Sequence, residues 1–265
     1  MLIAFTAVFI VPFAMGLYLS LCKFTTVDNA VFIGFENFKA AFTDQNFLNA
    51  LWFTVKFTVV SVITVNVIAF FLALLLTRGM RGSNLFRTVF FMPNLIGGIV
   101  LGYIWNLILN GVLGMMGVDI TYSANYGFWG LVILMNWQMI GYMMVIYIAG
   151  IQSIPGSLIE ASHIDGASGA QTLRRIIMPM IMPSVTICTF LTLSNSFKLF
   201  DQNLALTAGE PSNSSQMLAL NIYETFYTRT GWEGAGQAKA VVFFIIVAVI
   251  AMLQNRLTRS KEVQQ

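Results

Sequence analysis

Six long apolar runs constrain this chain more than anything else in it. They cover residues 2–22, 51–77, 88–109, 128–150, 184–207 and 237–254. A helix of ~20 apolar residues is enough to cross the hydrocarbon core of a bilayer. The pattern therefore predicts an all-α integral membrane protein with about six transmembrane helices, in which residues 1–265 form a single transmembrane domain. The first run lacks the basic start and small-residue cleavage site of a signal peptide, so it is read as the first span. Gly98 and Gly102 give the third run a small-xxx-small face suited to close helix packing.

Composition supports this and narrows function. Hydrophobic residues make up 57% of the 265, and charged residues 9%, against ~25% charged in soluble domains. A net charge of +3 is too small to imply nucleic acid as a partner, and the surroundings are membrane lipid. Cys22 and Cys188 lie in apolar runs and read as packing residues, not as a disulfide or metal framework. His163 is the one histidine, which argues against histidine-based metal or triad chemistry. No nucleophile–base set suggests an intramembrane enzyme. No G-x-x-x-x-G-K-[ST] phosphate loop occurs, so the chain is not read as an ATPase.

The charges orient the spans. Arg78, Arg81, Arg87, Arg174, Arg175, Arg256, Arg259 and Lys261 fall on one set of loops and the C-terminal tail. The opposite loops carry Asp28, Glu36, Asp44, Asp119, Glu210, Glu224 and Glu233. The positive-inside rule then places both termini and residues 151–183 in the cytoplasm. Outside, Phe35, Phe38 and Phe42 share one face of a short predicted surface helix. Residues 110–126 and 208–235 read as polar loops.

Residues 153–183 are the one extended polar stretch. Ser157 with Glu160, and Ser168 with Gln171, have the spacing of capping boxes that open two short helices. Gly166 is placed to end the first in the left-handed conformation. Arg174 and Arg175 suit the end of the second, and Pro179 and Pro183 punctuate the exit. The run Glu160-Ala161-Ser162, Asp165-Gly166-Ala167, then Arg174, Ile176 and Pro179, resembles the "EAA" cytoplasmic loop of binding-protein-dependent ABC importer permeases. Ser162 replaces the usual second alanine, and Leu173 stands where an aromatic is common. In that family the loop docks on the ATPase, so the resemblance makes residues 153–179 a coupling helix–turn–helix with Glu160, Ala161, Asp165, Gly166, Ala167 and Pro179 as its motif positions. It also implies the type I (MetI-like) permease fold.

Three other stretches are similar to the maltose-type carbohydrate branch, specifically its larger permease subunit. These are Phe86-Arg87-Thr88-Val89-Phe90-Phe91-Met92-Pro93 with Gly102-Tyr103-Ile104-Trp105-Asn106; Leu206-Thr207-Ala208-Gly209-Glu210-Pro211 with Ile222-Tyr223-Glu224-Thr225-Phe226; and Ile33-Gly34-Phe35-Glu36-Asn37-Phe38. Glu210 departs from the usual Gly-Gly-Pro. The resemblance implies a permease that translocates a sugar or oligosaccharide across a bacterial or archaeal cytoplasmic membrane. It implies a second permease of similar fold, two ATPase subunits that bind the ATP and Mg, and an extracytoplasmic sugar-binding protein; this chain itself needs no cofactor.

Polar residues within spans are costly in lipid and belong at a protein interior or a cavity. Gln138 and Tyr142, four apart, share one face, and Thr192, Asn195, Ser196 and Leu199 lie on one stripe of the fifth span. In the maltose-type family, positions matching these six line the sugar site; interhelical hydrogen bonding is the competing use of the same side chains. Lys198 and Asp201, three apart, are expected to pair on the helix. They also supply the alternative function, an ion- or proton-coupled secondary transporter.

Overall fold

The computed structural model describes residues 1–79 and 81–259. Lys261 and the end of the charged tail lie outside the described residues. The order is α1 Leu2–Leu19, α2 Glu36–Thr43, α3 Gln45–Leu76, α4 Ser83–Phe91, α5 Gly98–Gly114 and α6 Ala124–Gln152. Then follow α7 Gly156–Ile164, α8 Gly169–Met180, α9 Met182–Phe197, α10 Asp201–Leu206, α11 Leu218–Thr228 and α12 Glu233–Arg259. One minimal antiparallel ribbon, β1 Cys22–Lys23 with β2 Val31–Phe32, pairs Cys22 with Phe32. The chain is otherwise all-α, as expected of segments that must satisfy their backbone groups internally in lipid.

Among the described residues, four helices are long and apolar enough to cross a membrane unbroken, and two bent pairs raise the number to as many as six. The third predicted span is thus not one straight helix. α4 runs on through a 3-10 turn at Met92–Leu95 and bends by 103° at Ile96–Gly97 into α5. Pro93 and the Gly97–Gly98 pair are the physical cause, since neither supports an ordinary helix interior. The fifth predicted span also stops early. α9 ends at Phe197, Lys198 to Phe200 are non-helical, and α10 starts anew at Asp201. At its other end α9 meets α8 at a 69° bend. The supposed loop 208–235 contains the half-buried helix α11.

The main core lies between α3, α6 and α9, with Phe57, Val65, Ala69, Leu131, Leu134, Met143, Met144, Tyr147 and Cys188 all buried. Cys22 and Cys188 are free and buried, as packing residues should be. Close approach shapes this core at two places. A Cβ on Gly141 would collide with the Phe90 carbonyl, so glycine lets α4 cross α6. A Cβ on Gly98 or Gly102 would come within 2.7 Å of Asp201 Cβ or Ala205 Cβ. The small-xxx-small face therefore seats α10. Outside the core, α1 is open along nearly its whole length and touches α12 through Phe13 and Phe244, with ring centroids 5.0 Å apart.

A second, polar focus ties the start of α3 to α11 and α12. Asp44 caps α3 by accepting from the Asn46 amide at 3.0 Å. It also accepts from Lys239 Nζ at 2.7 Å and Arg229 Nη1 at 3.3 Å. Lys239 is fully buried and donates further to Thr225 Oγ1 (2.8 Å) and Asn221 Oδ1 (3.1 Å). Its ammonium lies 5.2 Å from the Phe47 ring centroid. Burial pushes the Asp44 carboxyl up, but the Lys239 hydrogen bond and charge, the Asn46 amide and Arg229 outweigh it and hold its pKa below the ordinary value.

Candidate functional site

Gln138 is the central residue of α6, which at ~1.5 Å per residue is ~43 Å long. It is half-buried, and its Oε1 accepts from Gln202 Nε2 at 2.9 Å. Tyr142, one turn on, is also half-buried and stands edge-on to Phe91, with centroids 6.2 Å apart at 70°. Among the described residues its hydroxyl has no hydrogen-bond partner. Two chain breaks meet beside this pair: Ile96–Gly97 between α4 and α5, and Lys198–Phe200 between α9 and α10. Gly98 and Asp201 join them. Non-helical backbone at membrane depth is tolerated where it is buried in protein or lines a wet cavity. Broken helices with neutral amides and an aromatic ring make a surface able to bind a polar, uncharged solute.

The predicted stripe on α9 divides. Asn195 is exposed, with Nδ2 tied back to the Leu191 carbonyl at 2.9 Å. Thr192 and Ser196 are 0% exposed and Leu199 4%; these three sit inside the subunit and not on its open face. The reason is angular for Thr192, Asn195 and Ser196, since positions i, i+3 and i+4 span enough of a helix to straddle the edge of a core; Leu199 lies past the end of α9. Thr192 Oγ1 accepts from Asn66 Nδ2 at 3.3 Å, and Tyr147 donates to Asn66 Oδ1 at 2.8 Å. Thr192 thus takes the competing use, interhelical hydrogen bonding; its partners Asn66 and Tyr147 were not singled out, although an asparagine inside a long apolar run is a visible signal. Gln202 was missed too, because α10 read as the tail of a continuous span.

Lys198 and Asp201 do not pair. Both are exposed, they lie on either side of the break, and the described ion pairs all involve Asp44. The helix that would have brought them together ends between them.

Between α6 and α9, residues 153–180 form two helices around a glycine. Gly166 has φ +74°. Its N–H donates to the His163 carbonyl at 3.1 Å, and the Ala167 N–H to the Ser162 carbonyl at 2.9 Å. That is the Schellman pattern, which needs the left-handed residue. The Ser168–Gln171 capping box forms in both directions. The Ser157–Glu160 box does not: Pro155 is the N-cap and α7 starts at Gly156, so Ser157 is already inside the helix. Ser162, where the motif has alanine, is buried against Thr172, its Oγ 3.2 Å from Thr172 Oγ1. The departure is a hydrogen bond that locks α7 to α8. Glu160, Ala161, Asp165 and Gly166 remain exposed, while Ala167 and Pro179 are half-buried. Leu158 and Ile164 are also exposed, Ile164 to 87%.

Comparison with known proteins gives this geometry a context. Residues 65–263 match the family described as binding-protein-dependent transport system inner membrane component. The chain is 47% identical to a probable starch degradation products transport system permease protein of Thermoanaerobacterium thermosulfurigenes, over 99% of this chain and 92% of that protein. It is 29% identical to the multiple sugar-binding transport system permease protein MsmF of Streptococcus mutans, over 96% and 91%. In fold it is similar to a chain of a bacterial ABC transporter that imports alginate, with TM-score 0.82, 19% identity, and coverage of 97% and 92%. It is also similar to a chain of the MetNI methionine ABC transporter, with TM-score 0.60, 20% identity, and coverage of 82% and 96%. This excludes the secondary-transporter alternative built on Lys198 and Asp201. The chain belongs to the binding-protein-dependent transport system inner membrane component family: it is a multi-pass membrane subunit of an ABC importer and not an enzyme.

Proposed function

We propose that this subunit forms half of a translocation path for a carbohydrate, of the kind produced by starch breakdown. The observation that carries this is the half-buried polar pair Gln138 and Tyr142 at the centre of α6, beside which two broken helices meet. Gln138, Tyr142 and Asn195 contact the sugar. Thr192, Ser196 and Leu199 support the wall behind them from within the core. A second permease of similar fold completes the path, and an extracytoplasmic binding protein delivers the solute. Two ATPase subunits hold and hydrolyse ATP with Mg, so no cofactor is required in this chain. They dock on residues 153–179, where Glu160, Ala161, Asp165, Gly166, Ala167 and Pro179 present the coupling surface and Leu158 and Ile164 offer apolar anchors. Alternating access follows as ATPase closure moves this hairpin.

Uptake by the assembled transporter tests the path. Tyr142→Ala removes a stacking face and a free hydroxyl, together worth about 1–3 kcal/mol of ligand interaction. Uptake of radiolabelled maltotriose at low concentration is expected to fall by ~5- to 100-fold while the complex still assembles. Unchanged uptake would remove Tyr142 from the path.

The same proposal places both termini and the coupling hairpin in the cytoplasm. A reporter fused after Arg81 or Arg259 is expected to be active only as a cytoplasmic fusion, and one after Pro211 only outside. Pro211 found on the cytoplasmic side would overturn the orientation.

A further inference from the structure

We propose that Gln202 is a positioning residue that fixes which edge of the Gln138 amide faces the passing substrate. The inference rests on the reading that Gln138 lines the path, and adds a residue that touches no substrate itself. A glutamine amide has one acceptor oxygen and two N–H donors. Here Gln202 Nε2 occupies the Gln138 oxygen at 2.9 Å. Gln138 is thereby held with its NH2 edge free, so it presents donors, which suit the hydroxyl, ring and glycosidic oxygens of a sugar.

Gln202 can hold this pose because its own backbone is clamped. A Cβ on Gly102 would lie 3.1 Å from the Gln202 carbonyl oxygen and 3.3 Å from its Cα. A Cβ on Gly98 would lie 3.2 Å from the Gln202 side-chain Cδ. Those two glycines form the notch in which α10 rests. At the far end of α10, Asn106 Nδ2 holds the Leu206 carbonyl at 2.7 Å. A six-residue helix cannot maintain itself alone, so α5 supplies the rigidity that reaches Gln138 through one hydrogen bond. Pre-orienting a polar group in this way spares the ordering cost at the moment of binding.

A mutant cycle in membrane vesicles carrying the complete transporter tests this, with radiolabelled maltotriose as the probe. Gln202→Leu frees the Gln138 amide to turn, and is expected to raise KM by ~3- to 10-fold with Vmax within about twofold. Gln138→Leu should raise KM at least as far. The double variant should be no worse than Gln138→Leu alone, because Gln202 acts only through Gln138. Gln202→Glu keeps the size but can only accept, so it turns the Gln138 oxygen to the path. It should raise KM like the leucine variant, and it serves in its place if that variant fails to assemble. Multiplying effects in the double variant, or a normal KM in Gln202→Glu, would overturn the role of Gln202 while leaving the path intact. A normal KM in Gln138→Leu would overturn the path reading at this residue, and the inference with it.

Discussion

Lys239→Met should destabilise the subunit by about 3–5 kcal/mol, the usual cost of removing one partner from a buried ion pair. Lys239 is fully buried, and Asp44 keeps only 9% of its side chain exposed. Without the ammonium, Asp44 retains Arg229 at 3.3 Å, and Asn221 and Thr225 lose a shared partner. These groups join the start of α3, α11 and α12, so the damage should appear as loss of folded protein in the membrane and a lower unfolding temperature in detergent. The double variant Asp44→Asn with Lys239→Met removes the stranded charge and should recover most of the loss. A double variant as unstable as the single one would show that packing, not charge, governs the site. The pH dependence has a fixed sign. A carboxylate with a depressed folded pKa contributes stability above its unfolded value and loses it as pH falls through the folded value. The Asp44 contribution is therefore complete at neutral pH and fades only below about pH 4. Lys239→Met should flatten that acid limb.

Hydropathy made the spans legible, because length and apolar content suffice to place a membrane helix. It did not reveal where spans break. Residues 88–109 and 184–207 each have the length of one span, and their continuity in sequence hides a bend at Ile96–Gly97 and an interruption at Lys198–Phe200. Pro93 and the glycine pair were visible signals for the first. For the second, the adjacent polar residues Asn195, Lys198, Asp201 and Gln202 could have suggested one. Treating the segment as a single helix instead made Lys198 and Asp201 look like neighbours and hid Gln202. Lys239 illustrates a different limit: a lysine between Ala238 and Ala240 inside an apolar run is conspicuous. Its partners, however, come from Asp44, 195 residues away, and from α11. Local patterns did better where the interaction is local. Gly166 and the Ser168–Gln171 box formed as their spacing indicates. The Ser157–Glu160 box failed because the N-cap is Pro155, two residues before Ser157.

Gly166→Val is expected to leave the membrane spans in place and abolish productive coupling. Valine in the left-handed region costs ~1–2 kcal/mol or more, being β-branched. The two Schellman hydrogen bonds, Gly166 to His163 and Ala167 to Ser162, depend on that conformation. Among the described residues nothing obstructs a side chain here, since none places a heavy atom within 4 Å of the Cβ position. Any effect beyond backbone strain must therefore come from a partner surface. Asparagine tolerates the left-handed conformation, so Gly166→Asn separates the two causes. If strain alone matters, the asparagine variant should co-purify with the ATPase and transport normally while the valine variant does neither. If a partner packs closely over the turn, both should fail, although circular dichroism and membrane insertion stay unchanged. Normal ATPase retention and full uptake in Gly166→Val would show that residues 153–179 do not transmit ATPase movement. The energy of hydrolysis would then have to enter the transporter through another surface.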